Sequence, residues 1–148
     1  MDFASSAADW HQRLSDLSLA CAGAGKAEAA CLLRAGRRLL CEAPQPWHQI
    51  FAQLPPREDF DALISAGGEA AAALALVEGR GSYMISYGPG GQHLATVVFE
   101  GQSGEASAQG ASLALAVLGA LAASLAGAGL GPAAGLADFP EQPGLRLN

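Results

Sequence analysis

Aromatic side chains are scarce in this 148-residue chain, 6% against 51% apolar residues in all. A core under that constraint is built from small side chains, so elements approach closely while each buries little area, and a high helix count is expected. Basic residues are scarce too: eight Lys and Arg against fourteen Asp and Glu leave a formal charge of −6. Nucleic-acid binding needs a basic surface to neutralise phosphates, so this balance argues against a general nucleic-acid binder. Only three cysteines occur, Cys21, Cys31 and Cys41, ten residues apart and without CxxC or Cys/His pairing at metal-ligand spacing. Ten residues of helix turn roughly 1000°, which points Cys31 and Cys41 about 80° apart, unable to clasp one metal without ligands from another helix. The three are read as small buried hydrophobes in a reducing cytosol. The opening "MDFASSAADWHQ" has acidic residues where a signal peptide has basic ones, and it lacks a continuous apolar run, so export by that route is not expected.

The histidines, His11, His48 and His93, form no HxH or HExxH arrangement, and neither a metal nor a cofactor is implied. "EGQSGE" sets Ser103 between glycines, but Glu105 stands where G-x-S-x-G requires glycine. "GAGLGP" at 127–132 follows a helical stretch, whereas phosphate-cradling loops follow a strand and open a helix. Glu58, Asp59 and Asp61 begin a helical pattern, where the dipole accounts for them more simply than acid–base chemistry.

What is present is periodic. Ser5 or Ser6 is a candidate cap for a first helix carrying Trp10, Leu14, Leu17 and Cys21 at helical spacing, ended by Gly23 and Gly25. A second helix over about 26–42 puts Ala29, Leu32, Leu33, Gly36 and Leu40 on one side and Arg34, Arg37 and Arg38 on the other. Together these make a helical hairpin over 1–43. The arginines are the chain's only basic cluster, read as a solvated face with Glu42 four residues after Arg38 to pair with it, and as a candidate surface for an anion or acidic partner. A proline-bounded connector over 44–56 carries Trp47, Ile50, Phe51 and Leu54 on a short helix started by Pro46. That cluster is expected to plug the seam beneath it, with an interaction surface as the rival reading.

The pattern Phe60, Leu63, Ile64, Gly67, Ala71, Leu74 predicts a helix over about 57–77, with Gly67-Gly68 positioned to kink or split it. The period then falls to two. Tyr83, Ile85 and Tyr87 share a face, Ala95, Val97 and Phe99 alternate against Leu94, Thr96 and Val98, and "GPGG" between them makes a β-hairpin. Residues 102–109 are a candidate third strand. "ASLALAVLGALAASLAGA", residues 111–128, has no charge over a length near that of a membrane span, yet its leucines gather on one side and no Lys or Arg flanks it. It is read as a buried helix whose leucine side covers the sheet and whose small side admits the helix over 57–77; a homodimer contact and membrane association are the other uses weighed. The last stretch, 129–148, is too rich in glycine and proline for regular structure.

The order helix, GPGG hairpin, short "EASA" segment and "GASLALAVLGALAASL" helix resembles the phage ABA sandwich, a small domain of phage and prophage proteins, over about residues 57–128. The resemblance implies a compact α-β-β-α core, transfers no functional residues, and points to a bacterial or prophage-type protein.

The expectation is thus one α+β domain, a helical hairpin followed by a two- or three-stranded antiparallel sheet packed with two helices. Its expected role is a cytoplasmic, non-enzymatic protein-interaction module, with a protein partner or a second copy. The candidate surface comprises Trp47, Ile50, Phe51, Leu54, Arg34, Arg37 and Arg38. The rival is a small-molecule or hydrolytic site near the hairpin, drawing on Ser103, His93, Tyr83 or Tyr87.

Overall fold

Helical periodicity at the start of the chain becomes α1 (Phe3–Gly23), in a computed structural model that describes residues 3–100 and 104–128. Helix α1 already includes Phe3, so neither Ser5 nor Ser6 caps it. Trp10, Leu14, Leu17 and Cys21 are all buried, and the Trp10 indole N–H donates to the Leu39 carbonyl at 2.8 Å. That bond satisfies a buried donor and pins α1 to the second helix.

A 3₁₀ turn, Lys26–Glu28, leads into α2 (Ala29–Cys41), whose buried side carries Ala29, Leu33, Gly36, Leu39 and Leu40. Helix α3 (Trp47–Ile50) follows Pro46. Trp47 and Phe51 are 6% and 3% exposed, and both rings meet Phe99, at centroid distances of 6.1 and 5.7 Å. Ile50 and Leu54 pack partly buried against the same core. The apolar cluster therefore fills the interior and is withdrawn from the candidate interaction surface.

The helical stretch over 57–77 is two helices, α4 (Arg57–Ser65) and α5 (Glu69–Ala75). Gly67 adopts φ +88°, and the Gly68 N–H returns to the Leu63 carbonyl at 2.8 Å, a glycine-dependent termination that a β-carbon would strain.

The sheet has order β1 (Gly81–Tyr87), β2 (His93–Phe99), β3 (Ala106–Gly110), antiparallel throughout. Gly81 pairs with Phe99 and Tyr87 with His93; His93 in turn pairs with Gly110. One face, with Ala95, Val97 and Phe99, is buried. The other carries Met84 at 72% exposure, Leu94, Val98 and a Thr96–Ser107 hydroxyl pair at 2.6 Å. An antiparallel sheet tolerates one wet face, and the alternation seen in β2 is its signature.

Helix α6 (Leu113–Ala128) begins with the Ser112 hydroxyl accepting the Leu115 N–H at 3.3 Å. It is the molecule's central element. Leu115, Leu118, Leu121 and Leu125 are fully buried, each contributing about 2 kcal/mol by area. Burial extends round the whole helix, and its neighbours differ from expectation. On the small side, a β-carbon at Gly119 would lie 3.3 Å from Ala108 of β3 and 3.3 Å from Cys21 of α1. The Ser18 hydroxyl of α1 donates to the Gly119 carbonyl at 3.0 Å. Leu118, by contrast, points at Gly36 of α2. At Gly119 the small face thus admits α1 and β3, and α5 also packs on the helix. The packing of Gly119 makes this face core, and a dimer contact through it would require unpacking α1. No helix among the described residues is long and apolar enough to cross a membrane.

Candidate functional site

Helix α2 sets Arg34, Arg37, Arg38 and Cys41 at spacings of three, one and three, which gathers them on one face over two turns. Opposite stands the start of α4, with Arg57, Phe60 and Asp61. The seven side chains line a cleft of about 240 Å³. Four of the chain's eight basic residues therefore converge against a single lining carboxylate.

The cleft is braced from within. Arg34 Nε donates to Asp61 Oδ1 at 3.0 Å, and Arg57 Nε lies 3.8 Å from the other carboxylate oxygen. Arg37 places Nε and Nη2 on the Pro55 carbonyl at 3.0 and 2.9 Å, with its guanidinium 6.0 Å from the centre of the buried Phe60 ring. Arg38 has no ion-pair partner among the described residues: Glu42, expected to pair with it, instead accepts from Arg13 Nη1 at 3.0 Å. Glu42, just past the end of α2, is held by Arg13 of α1. Glu58 and Asp59 sit in the exposed first turn of α4 and do not line the cleft.

A second concavity, about 310 Å³, is lined by Gln49, Ile50, Gln53, Glu78, Gly79 and Arg80. Its cation is committed to the backbone. Arg80 donates from Nε to Ile50 O at 3.2 Å, from Nη1 to Ala75 O and Glu78 O at 3.1 and 2.9 Å, and from Nη2 to Gln53 O at 2.9 Å. Two of those carbonyls belong to the last residues of α3 and α5, where helix ends leave acceptors unsatisfied and the dipole is negative. Partial burial lowers the Arg80 pKa from its ordinary value. Nothing in the sequence singles out Arg80, because all four acceptors are backbone atoms.

The three histidines lie on separate elements, His11 on α1, His48 on α3 and His93 at the start of β2, and no group of ligating side chains suited to a metal occurs among the described residues. His93 packs edge-on against Tyr87 at 4.8 Å, and Ser103 falls outside the described residues. Of the cysteines, Cys21 alone is buried, which pushes its thiol up to about 12; Cys31 and Cys41 are exposed, contrary to expectation. Both lie on the solvated side of α2, away from its buried stripe.

The outer edge of β1 is a different kind of feature. The Gly88 N–H bonds to Gln92 O and the Glu100 N–H to Arg80 O, which fixes the even-numbered residues of β1 as those bonded to β2. The N–H and C=O groups of Tyr83, Ile85 and Tyr87 consequently face outward, while the Gly81 N–H is taken by Val77 O. Tyr83 and Tyr87 are 39% and 68% exposed, and none of the seven strand residues is charged or proline.

No family model, curated protein or solved structure matches this chain.

Proposed function

We propose that this chain is a non-enzymatic interaction module and that its partner is a second copy of itself, joined through the outer edge of β1. The carrying observation is that edge, seven residues long, uncharged and open among the described residues. Natural sheets blunt such edges with lysine, proline or bulges, and this one has none of the three.

Self-complementarity supports a second copy as occupant. A two-fold axis through Ile85 sets Ile85 opposite itself and Tyr83 opposite Tyr87 of the other chain. That register pairs all three outward N–H groups of each copy with the three outward carbonyls of the other and extends the sheet to six strands. No like charges meet across the axis, because β1 has no charge. Cross-strand tyrosine pairs would cover the aromatic surface that α6 leaves open.

The free thiols of Cys31 and Cys41 suit a reducing cytosol as the setting. A prophage-type origin is proposed on the resemblance of residues 57–128 to the phage ABA sandwich alone.

Light scattering on the eluting peak of a size-exclusion column is the test, with a dimer of twice the 14.9 kDa chain mass expected. Replacing both Tyr83 and Tyr87 by Lys places like charges opposite each other and gives a monomer. The Tyr83→Lys, Tyr87→Glu chain places Lys opposite Glu twice and restores the dimer. A monomeric parent overturns the reading, and a dimer indifferent to the double-Lys change moves the interface away from β1.

A further inference from the structure

We infer that the cleft between α2 and α4 is a binding site for a compact doubly charged oxyanion, a phosphate or the phosphoryl group of a small phosphomonoester. This inference is independent of the β1 edge, since the two features share no residue.

Charge supplies the first argument. Arg34, Arg37, Arg38 and Arg57 face one carboxylate, Asp61, which leaves three uncompensated positive charges in a protein whose formal net charge is −6. Like charges lining one cleft repel one another, and an anion placed among them relieves that repulsion. Donor geometry supplies the second. Each guanidinium carries five N–H groups in a planar fork matched to two oxygens of phosphate or carboxylate. Arg34 uses its Nε on Asp61 and Arg37 uses Nε and Nη2 on Pro55, so both are held in place while retaining further donors. Arg38 has no side-chain partner among the described residues, and Arg57, 3.8 Å from Asp61 and 80% exposed, is loosely tethered. The arrangement is two oriented arginines and two adaptable ones around one hollow.

Size and field together select the ligand class. A volume of about 240 Å³ suits a phosphoryl group with a small attached moiety. An extended polyanion such as nucleic acid, or an acidic protein face, would run beyond the basic cleft onto a surface with a net negative charge. A compact anion has all its charge within one Debye length, about 8 Å at physiological salt, of the arginines. A phosphate dianion also outcompetes a monoanionic carboxylate for several guanidiniums, because each added contact is charge-assisted.

Isothermal titration of the full chain with inorganic phosphate, at constant ionic strength with chloride as the balancing anion, reads the site directly. One phosphate per chain is expected. Arg38→Ala, which removes an exposed side chain with no ion-pair partner among the described residues, should weaken phosphate binding about tenfold, the worth of one charge-assisted hydrogen bond. Lys26→Ala changes the net charge equally outside the cleft and should leave affinity unchanged. Asp61→Asn should tighten it by removing the resident competitor. Failure to bind phosphate over chloride, or equal weakening by Arg38→Ala and Lys26→Ala, overturns the site. A small phosphomonoester that binds more tightly than phosphate identifies the attached moiety as part of the ligand; equal affinity identifies phosphate itself.

Discussion

Arg80 and the arginines of the α2–α4 cleft are the same side chain put to opposite uses. Arg80 reaches four backbone carbonyls within 3.2 Å and makes no ion pair among the described residues. In the cleft, Arg34 and Arg57 share one carboxylate, Arg37 holds the Pro55 carbonyl, and Arg38 has no partner among the described residues. A cation whose donors all meet fixed acceptors joins elements of the fold. Cations that outnumber their acceptors hold an unsatisfied field that a diffusible anion can enter. Residue type alone separates neither case; the count and origin of acceptors do.

The sharpest way to break this comparison is Arg80→Met, which keeps a long apolar stem and removes the donors. The carbonyls at the ends of α3 and α5 then lose their shared partner, and the connector holding Trp47 and Phe51 against Phe99 is released from the start of β1. A loss of about 2 kcal/mol is expected, or roughly 6 °C in Tm for a domain this size, with phosphate binding unchanged. Thermal unfolding with and without phosphate measures both. A stability loss under half that size would mean that water replaces the guanidinium at those carbonyls.

Part of this organisation is legible in the sequence alone. The change of period at Gly81 and the turn residues at 88–91 delimit the hairpin because strand alternation and turn chemistry are local. Residues 111–128 are recognisable as an interior helix from leucine clustering without flanking cations, yet the neighbours of that helix are not, since Gly119 accommodates α1 and β3 as readily as any other element. The same limit applies to the cleft. Spacing places Arg34, Arg37 and Arg38 together, but Arg57 and Asp61 join them only through a tertiary approach across the connector. Glu42 shows the cost of local reasoning alone: four-residue spacing predicts a pair with Arg38, and Arg13 of another helix makes the pair instead. Arg80 was invisible for the reason already given, that backbone carbonyls leave no mark on sequence.

Arg37 stands between the two extremes and sharpens the comparison. It lines the cleft, yet it also holds Pro55 through two hydrogen bonds and lies over Phe60. Arg37→Ala should therefore cost about 1 kcal/mol of stability and also weaken phosphate binding. Arg37→Lys retains the charge without the fork, so it should recover more of the phosphate affinity than of the stability. Equal recovery of both would show that charge, not hydrogen-bond geometry, is what Arg37 contributes to the fold.

The smallest effect on stability is expected at Asp61, and its size depends on salt. Asp61→Asn removes an ion pair to Arg34 and a longer one to Arg57, with partner side chains 42% and 80% exposed. Exposed pairs of this kind are worth a few tenths of a kcal/mol each. The substitution also leaves four guanidiniums without a compensating charge, so the cost at low ionic strength should exceed that of the two pairs. Raising the salt screens that repulsion over a Debye length that falls from about 30 Å at 0.01 M to about 3 Å at 1 M. The stability gap between parent and Asp61→Asn should thus be under about 1 kcal/mol at low salt and close as salt rises, which urea unfolding in a sodium chloride series measures. Phosphate should close the same gap at far lower concentration than chloride, because it binds the folded cleft rather than merely screening it. A gap that ignores both salts, or one as large as the loss in Arg80→Met, would place Asp61 and its arginines among the structural cations and erase the distinction from Arg80.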